Sequence, residues 1–152
     1  MSHARKQIRI AVKSLLSDSP VNWQRVFDSR LSPQRDVLPY LNFYVESEVA
    51  QPQTIHPGFI QSRVMSLVIN GRTRIVDGEE IENALDTMAE EIEQKITFDS
   101  INALLGGKLK SIYLDSSASS FVEDERERKF AEIALSWQVI VVTQEGIPET
   151  LI

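Results

Sequence analysis

The sequence predicts a single α+β domain, a mainly antiparallel or mixed β-sheet with helices packed on one face. Alternating apolar and polar residues, typical of half-buried strands, occur in the first half of the 152-residue chain and again near its end. Between these stretches, apolar residues recur at helical spacing. Strands grouped before and after helices, rather than alternating with them, favour an α+β architecture.

Composition narrows the class of protein. Lys and Arg number 16 against 22 Asp and Glu, so the net charge is −6, which argues against a surface made throughout to bind nucleic acid. The chain has no cysteine, hence no disulfide and no Cys-ligated metal, and this composition is compatible with a reducing cytoplasm. No apolar stretch approaches the length of a membrane span, and the first residues lack the pattern of a signal peptide. We therefore expect a soluble protein with no membrane partner.

The first 29 residues predict a helix followed by a short strand. Ser2 is available as an N-cap and Pro20 closes the helical segment. Residues 21–29 are rich in strand-forming side chains and lie between Pro20 and a turn-forming segment. The apolar residues that share one face of this helix are Ala4, Ile8, Ala11, Val12 and Leu15.

Two long strands are predicted next, over residues 38–49 and 59–75. In the second, Met65, Leu67 and Ile69 fall on one face, and Val64 and Val68 on the other. The segment 50–58 between them carries two prolines and a glycine, which predicts a mobile loop. The two strands should therefore pair antiparallel across this loop.

The strongest helix signal lies at 77–96, where Asp77 and Glu80 resemble a capping box. A short helix should follow, with Asp99 as its cap and Gly106 as its end. The apolar positions of the longer helix recur at helical spacing and should face the core: Ile81, Leu85, Met88, Ile92 and Ile96.

The last 45 residues contain the one ambiguous stretch. Residues 108–115 predict a strand and 116–129 a long, polar, mobile connection. Residues 131–143 fit both a helical stripe and strand alternation, but four consecutive β-branched residues at 139–142 favour a strand. Trp137, on this strand, and Trp23 should both lie in the core. Residues 145–152 are expected to form a flexible tail.

Motifs for catalysis or cofactor binding are weak. His3 and His56 are the only histidines and lie far apart, so solvated histidines are the default interpretation. The carboxylates of the acidic helix lack a Glu-x-x-His companion, and a solvated face is favoured over a metal site. Positive side chains gather on one face of the first helix: Arg5, Lys6, Arg9 and Lys13. Solubilising the helix or pairing with an acidic neighbouring subunit is favoured over contact with DNA or another phosphate-bearing surface.

The order of these elements resembles the lambda-type phage tail terminator family, also called tail completion or minor tail protein U. The similarity runs from about Arg5 to Gln144; the loop 50–58 and the tail "EGIPETLI" depart from it. The resemblance depends on the order and spacing of its matching segments more than on any single segment. The matching segments are "VFDSR", "VLPYLNFYVESEV", "SRVMSLVING", "EEIENALDTMAEEI", "IYLDSS" and "ALSWQVIVVTQ".

The resemblance implies a structural protein and not an enzyme. Members of the family form a homohexameric ring that caps the head-proximal end of the tail tube, stops its polymerisation and presents a surface for head–tail joining. The implied partners are further copies of the chain, the tail tube protein and a head completion or connector protein, with genome DNA passing through the lumen without tight binding. The implied location is the tail of the virion, and the host cytoplasm during assembly. No cofactor is implied, although a divalent cation such as Mg²⁺ is a candidate for promoting assembly.

Two segments are the predicted contacts with neighbouring subunits or partners. The first lies in and after the Pro-containing loop, and the second is a mixed-sign run suited to a complementary patch. Both are expected to become ordered on assembly. Their residues are Ile55, His56 and Phe59, and Glu123, Asp124, Glu125, Arg126 and Arg128. The alternative functions are another homo-oligomeric neck or baseplate adaptor, or a small-ligand-binding α+β domain.

Overall fold

The computed structural model describes residues 3–31, 38–54, 59–75, 80–123 and 129–152, with only the backbone of residues 122, 123 and 129. Three helices and six strands are found in these ranges. The helices are α1 (Ala4–Leu16), α2 (Ile81–Lys95) and α3 (Phe98–Leu104). The strands are β1 (Arg25–Asp28), β2 (Tyr40–Pro52), β3 (Ile60–Arg74), β4 (Ser111–Glu123), β5 (Lys129–Gln144) and β6 (Ile147–Leu151).

All six strands belong to one mixed sheet of order β1-β2-β3-β5-β4. β1 pairs with β2 in parallel, and the other pairs are antiparallel. β6 pairs only with the last residues of β5, beyond the stretch of β5 that β4 covers. The predicted α+β class is confirmed, as is the antiparallel pairing of the two long strands 38–49 and 59–75.

The core lies between the helices and one face of the sheet, called here the helix face. β3 and β5 supply alternating side chains to it, so that Trp137 is 3% exposed and its neighbours on the other face are half-buried. α2 contributes Leu85 and Met88, which are both buried as predicted. Trp23 is also 3% exposed, and its indole Nε1 donates to the Leu16 carbonyl at 2.9 Å, because a buried indole needs a partner.

α2 lies unusually close to the sheet at Gly71 of β3. A Cβ at this position would clash with Met88 Sδ and would lie 3.1 Å from Leu41 and 3.2 Å from Ile133. Glycine is therefore required for close approach and not for a special backbone conformation.

The helix ends differ from those predicted. His3 is the N-cap of α1, and its Nδ1 accepts from the Arg5 amide at 3.1 Å; Ser2 lies outside the described residues. Leu16 is the buried residue at the end of α1, while Leu15 is half-buried. Glu80 itself occupies the N-cap of α2 without a side-chain cap bond, and Asp77 lies outside the described residues.

α3 begins two residues earlier than the sequence suggested. Thr97, not Asp99, is its N-cap, in a capping box with Ser100. Thr97 satisfies the Ser100 amide, and Asp99 is left in the first turn. Gly106 follows the helix with φ of 63°, which supports its predicted role as the stop.

Three predicted irregular segments are partly strand. Residues 116–123, predicted as a polar connection, belong to β4, and residue 129 belongs to β5. Residues 50–52 continue β2, and residues 147–151 of the predicted flexible tail form β6. In each case pairing with a neighbouring strand satisfies the backbone without a run of apolar side chains to signal it.

Candidate interface surfaces

The predicted contact residues are only partly described by the structure. Phe59 is half-buried, and its carbonyl accepts from the Glu145 amide at 2.9 Å, which joins the start of β3 to the β5–β6 turn. Glu123 is the last residue of β4 and pairs with Lys129. The others lie outside the described residues: Ile55, His56, Asp124, Glu125, Arg126 and Arg128. A contact role for these two segments stays a prediction.

β4 forms one edge of the sheet and is exposed along most of its length. Residues 113–121 are all exposed, in contrast to the alternating burial of β5 beside them. Phe121 is 52% exposed and Leu114 38% exposed, both opposite buried residues of β5 on the helix face. A long edge strand with apolar side chains left in solvent is a surface that proteins usually cover.

A groove of 470 Å³ runs between α2 and β4. Its floor is apolar, formed by Ala89 and Ile133, and Ser117 of β4 is on its far side. Its α2 side carries Asp86, Glu90 and Glu93, spaced so that they share one flank of the helix. No cation from the described ranges lines it, and we call it the acidic groove.

The carboxylates of the acidic groove make fewer contacts than their neighbour Glu91, which lies on the opposite flank of α2. Glu91 accepts from the amides of Val21 and Asn22 and lies 3.8 Å from Lys95 Nζ. Its charge thus stabilises the segment after α1. Among contacts of the described residues, Asp86 and Glu93 have no cation partner, and Glu90 accepts only a long bond of 3.4 Å from Gln94. These three charges are therefore available to another molecule.

A cluster of positive side chains lies on α1. Arg5, Lys6, Arg9 and Lys13 lie along one flank of the helix, which we call the basic flank. Lys6 and Lys13 are exposed, and Ile10, which is 56% exposed, lies between them on the helix surface. Ile10 is therefore an exposed apolar side chain beside two cations.

Contacts with β1 and β2 hold the basic flank in place. Arg9 Nη1 lies 3.0 Å from Asp28 Oδ2 at the end of β1. Nearby, the Arg30 guanidinium donates to the Val45 and Glu46 carbonyls at 2.8 and 3.2 Å and lies 5.4 Å from the centroid of the Tyr44 ring. Arg5, Arg9 and Arg30 line one pocket with Asp28, so the described charge there is positive.

The two surfaces lie at opposite edges of the sheet. The register line through Asp28 runs to Phe43, Ile69, Leu135 and finally Ser117 of the acidic groove. Four strand spacings separate its ends, roughly 19 Å. Asp28, which holds Arg9 of the basic flank, and Ser117 of the acidic groove are therefore level with each other on the two outermost strands of this path.

Other kinds of site find no support among the described residues. His3 is engaged as the cap of α1. No group of three or more His, Asp or Glu side chains in the described ranges is placed to hold a metal ion. No helix in the part of the chain that the structure describes has the length and apolar character to cross a membrane.

The fold occurs in a virion particle. One chain of the "Virion of native gene transfer agent (GTA) particle" is 16% identical to this protein with a TM-score of 0.60, over 93% of this chain and 100% of that one. A second solved chain is 17% identical with a TM-score of 0.55, over 91% of this chain and 96% of its own length. No protein-family model matches the chain, and no curated protein matches it. These TM-scores and coverages show a shared fold over nearly the full length.

Sequence reasoning found one of the two surfaces. The basic flank was predicted from the spacing of its cations; its pairing with an acidic neighbouring subunit stays a prediction. The acidic groove was missed, because its carboxylates were interpreted as a solvated helix face and its far side, Ser117, lies on the part of β4 beyond the predicted strand 108–115. The available signal was the contrast in spacing between Asp86, Glu90 and Glu93 and the differently placed Glu91.

Proposed function

We propose that the protein is a tail terminator: a non-enzymatic virion protein that forms a homohexameric ring on the head-proximal end of a tail tube. The likeness to a whole chain of a virion particle carries this proposal, since it spans both proteins almost completely. The sequence resemblance to lambda-type tail terminators supports it independently.

The two edge surfaces support assembly into a ring. An interface between different faces of identical subunits is heterologous, and it closes into a ring when the rotation between subunits is right. Opposite charges at opposite edges suit this head-to-tail arrangement. Charge of one sign at both edges would instead make neighbouring copies repel each other.

The ring's lumen would admit DNA without holding it. Six chains of net charge −6 carry −36 together, and a channel that a genome must cross should not retain it. A gel-shift titration at moderate salt should show no complex at sub-micromolar protein. A tight complex would contradict this part of the proposal.

The decisive experiment has two arms. Light scattering and negative-stain microscopy of the purified chain, with and without Mg²⁺, should show six-membered rings. Added to polymerising tail tube protein, the chain should end growth at one tip and shorten the tubes in proportion to its concentration. Rings that leave tube length unchanged would favour another neck or baseplate adaptor. A monomer in every condition, including with tubes, would refute the proposal.

A further inference from the structure

We propose that the basic flank of α1 in one copy seats in the acidic groove of the next copy, and that this contact closes the ring. The inference rests on the proposed function, because it names the surfaces through which the ring would form. Its occupant is a second copy of this chain, chosen for charge, spacing, shape and position.

Charge is the first argument. Among the described residues, no cation lines the groove beside Asp86, Glu90 and Glu93, and Lys6 and Lys13, exposed on the basic flank, make no ion pair. Within the described ranges, each surface therefore has charges without an opposite partner. Such pairs set the register of an interface and speed encounter more than they raise affinity.

Spacing is the second argument. Lys6 and Lys13 are seven residues apart on α1, as Asp86 and Glu93 are on α2. At 1.5 Å per residue both separations are about 10.5 Å, so two helices lying side by side would bring both pairs together. The basic flank and the acidic groove are matched in length.

Shape and polarity agree with this arrangement. Ile10 lies between Lys6 and Lys13 along α1 and is 56% exposed, on the side of the helix opposite its buried residues. The floor of the acidic groove is Ala89 and Ile133, apolar and at the middle of the acidic row. Seating Ile10 on this floor would remove an exposed apolar side chain from water on one copy and cover an apolar floor on the other.

Position is the last argument. α1 is tied to β1 through Arg9 and Asp28, and the groove is bounded by β4, so the two surfaces cannot meet within one molecule. A contact between them is necessarily between copies and necessarily heterologous. Exposed Phe121 and Leu114 of β4 lie on the same sheet face as the groove and would be covered along with it.

The test uses two charge-reversed variants of the full chain. The helix variant is Lys6→Glu with Lys13→Glu, and the groove variant is Asp86→Lys with Glu93→Lys, the two carboxylates at the matching spacing. Each alone should weaken assembly at least about tenfold, because every interface in its ring would bring like charges together. A matched control is Lys108→Glu with Lys110→Glu, which changes the net charge as the helix variant does, at two exposed lysines away from both surfaces.

An equimolar mixture of the two variants tests whether the basic flank and the acidic groove contact each other. In an alternating ring, the reversed helix meets the reversed groove, and the native helix of the groove variant meets the native groove of the helix variant. The mixture should therefore assemble as the native chain does, and so should the chain with all four substitutions. Recovery also shows that both variants are folded.

The outcomes separate the two proposals. If the native chain forms rings and the variants do so equally well, or if the mixture fails to recover, the proposed contact is wrong and the tail terminator function stands. If the variants form normal rings but no longer cap tubes, the acidic groove or the basic flank binds another virion protein, which also overturns the contact. If the native chain never assembles, the proposed function itself fails.

Discussion

β4 and β5 are neighbours in the same sheet, yet their surroundings are opposite. β5 lies between β3 and β4, and every second side chain from Ala131 to Val141 is buried. β4 pairs with β5 alone, and residues 113–121 are all exposed. The two strands have nearly the same length, and their sequences are nonetheless unlike: "FAEIALSWQVIVV" against "YLDSSASSF".

This difference shows what a strand pattern in a sequence reports. Apolar alternation marks burial on one face, so it found β5 and failed on the outer half of β4. β4 is a strand because β5 offers a full row of backbone donors and acceptors beside it, past a bulge between Leu114 and Ser116. The backbone of the small polar residues of β4 forms hydrogen bonds with that row, while their side chains add little to the core. Substitutions in the two strands should therefore have very different costs.

The largest effect is expected at Trp137 of β5. Trp137→Ala should lower the free energy of unfolding by about 3–5 kcal/mol, because it removes a large side chain that is 3% exposed. The matched control is Leu114→Ala, its partner on β4, which is 38% exposed and should lose much less. Urea midpoints measure both. Equal losses would mean that β4 is as much a part of the core as β5.

Close packing over the central strands gives the second effect. Gly71→Ala should cost about 1–3 kcal/mol, since the new methyl group meets Met88 Sδ and overpacks the core. Combined with Met88→Ala, it should cost less than the two single losses added together, because the obstructing side chain is gone. Additive losses in thermal or urea unfolding would show that the strain arises elsewhere.

Polar contacts should also contribute more to stability between central strands than at the β4 edge. Arg72 Nε lies 2.6 Å from Glu132 Oε2 between β3 and β5, and Arg72 also donates to the Tyr40 hydroxyl at 3.1 Å. Glu132→Gln should cost roughly 1 kcal/mol, a value reduced by partial exposure of both side chains. Asp115→Asn, at the β4 edge, should be neutral, because Asp115 Oδ2 is 3.4 Å from Gln138 and exposed. Equal losses for the two variants in urea titrations would contradict the comparison.

The smallest effect is expected for the serines of β4. Ser119→Ala should change the unfolding free energy by less than about 0.5 kcal/mol, as for other exposed sites. The reverse exchange in β5, Ala131→Ser, should cost about 1–3 kcal/mol, because it places a hydroxyl at a fully buried position. A costly Ser119→Ala would reveal a structural role for that hydroxyl within the monomer.

The sequence by itself determined the class of fold and most of its core. Helical spacing placed Ile8, Leu85 and Met88 against the sheet, and alternation placed Met65, Leu67 and Trp137 on the helix face. It also located the cations of α1. All of these signals are local, because they arise from the period of one helix or one strand.

Only the tertiary structure decided the elements that depend on a partner. The outer half of β4, the end of β2 and the whole of β6 are strands because another strand lies beside them, and none has the apolar alternation that announces a buried face. The acidic groove exists because β4 lies beside α2, and Glu91 differs from Glu90 only in the flank of α2 that it occupies. The opposite placement of two charged surfaces follows from strand order, which backbone pairing between distant segments sets and local periodicity does not encode.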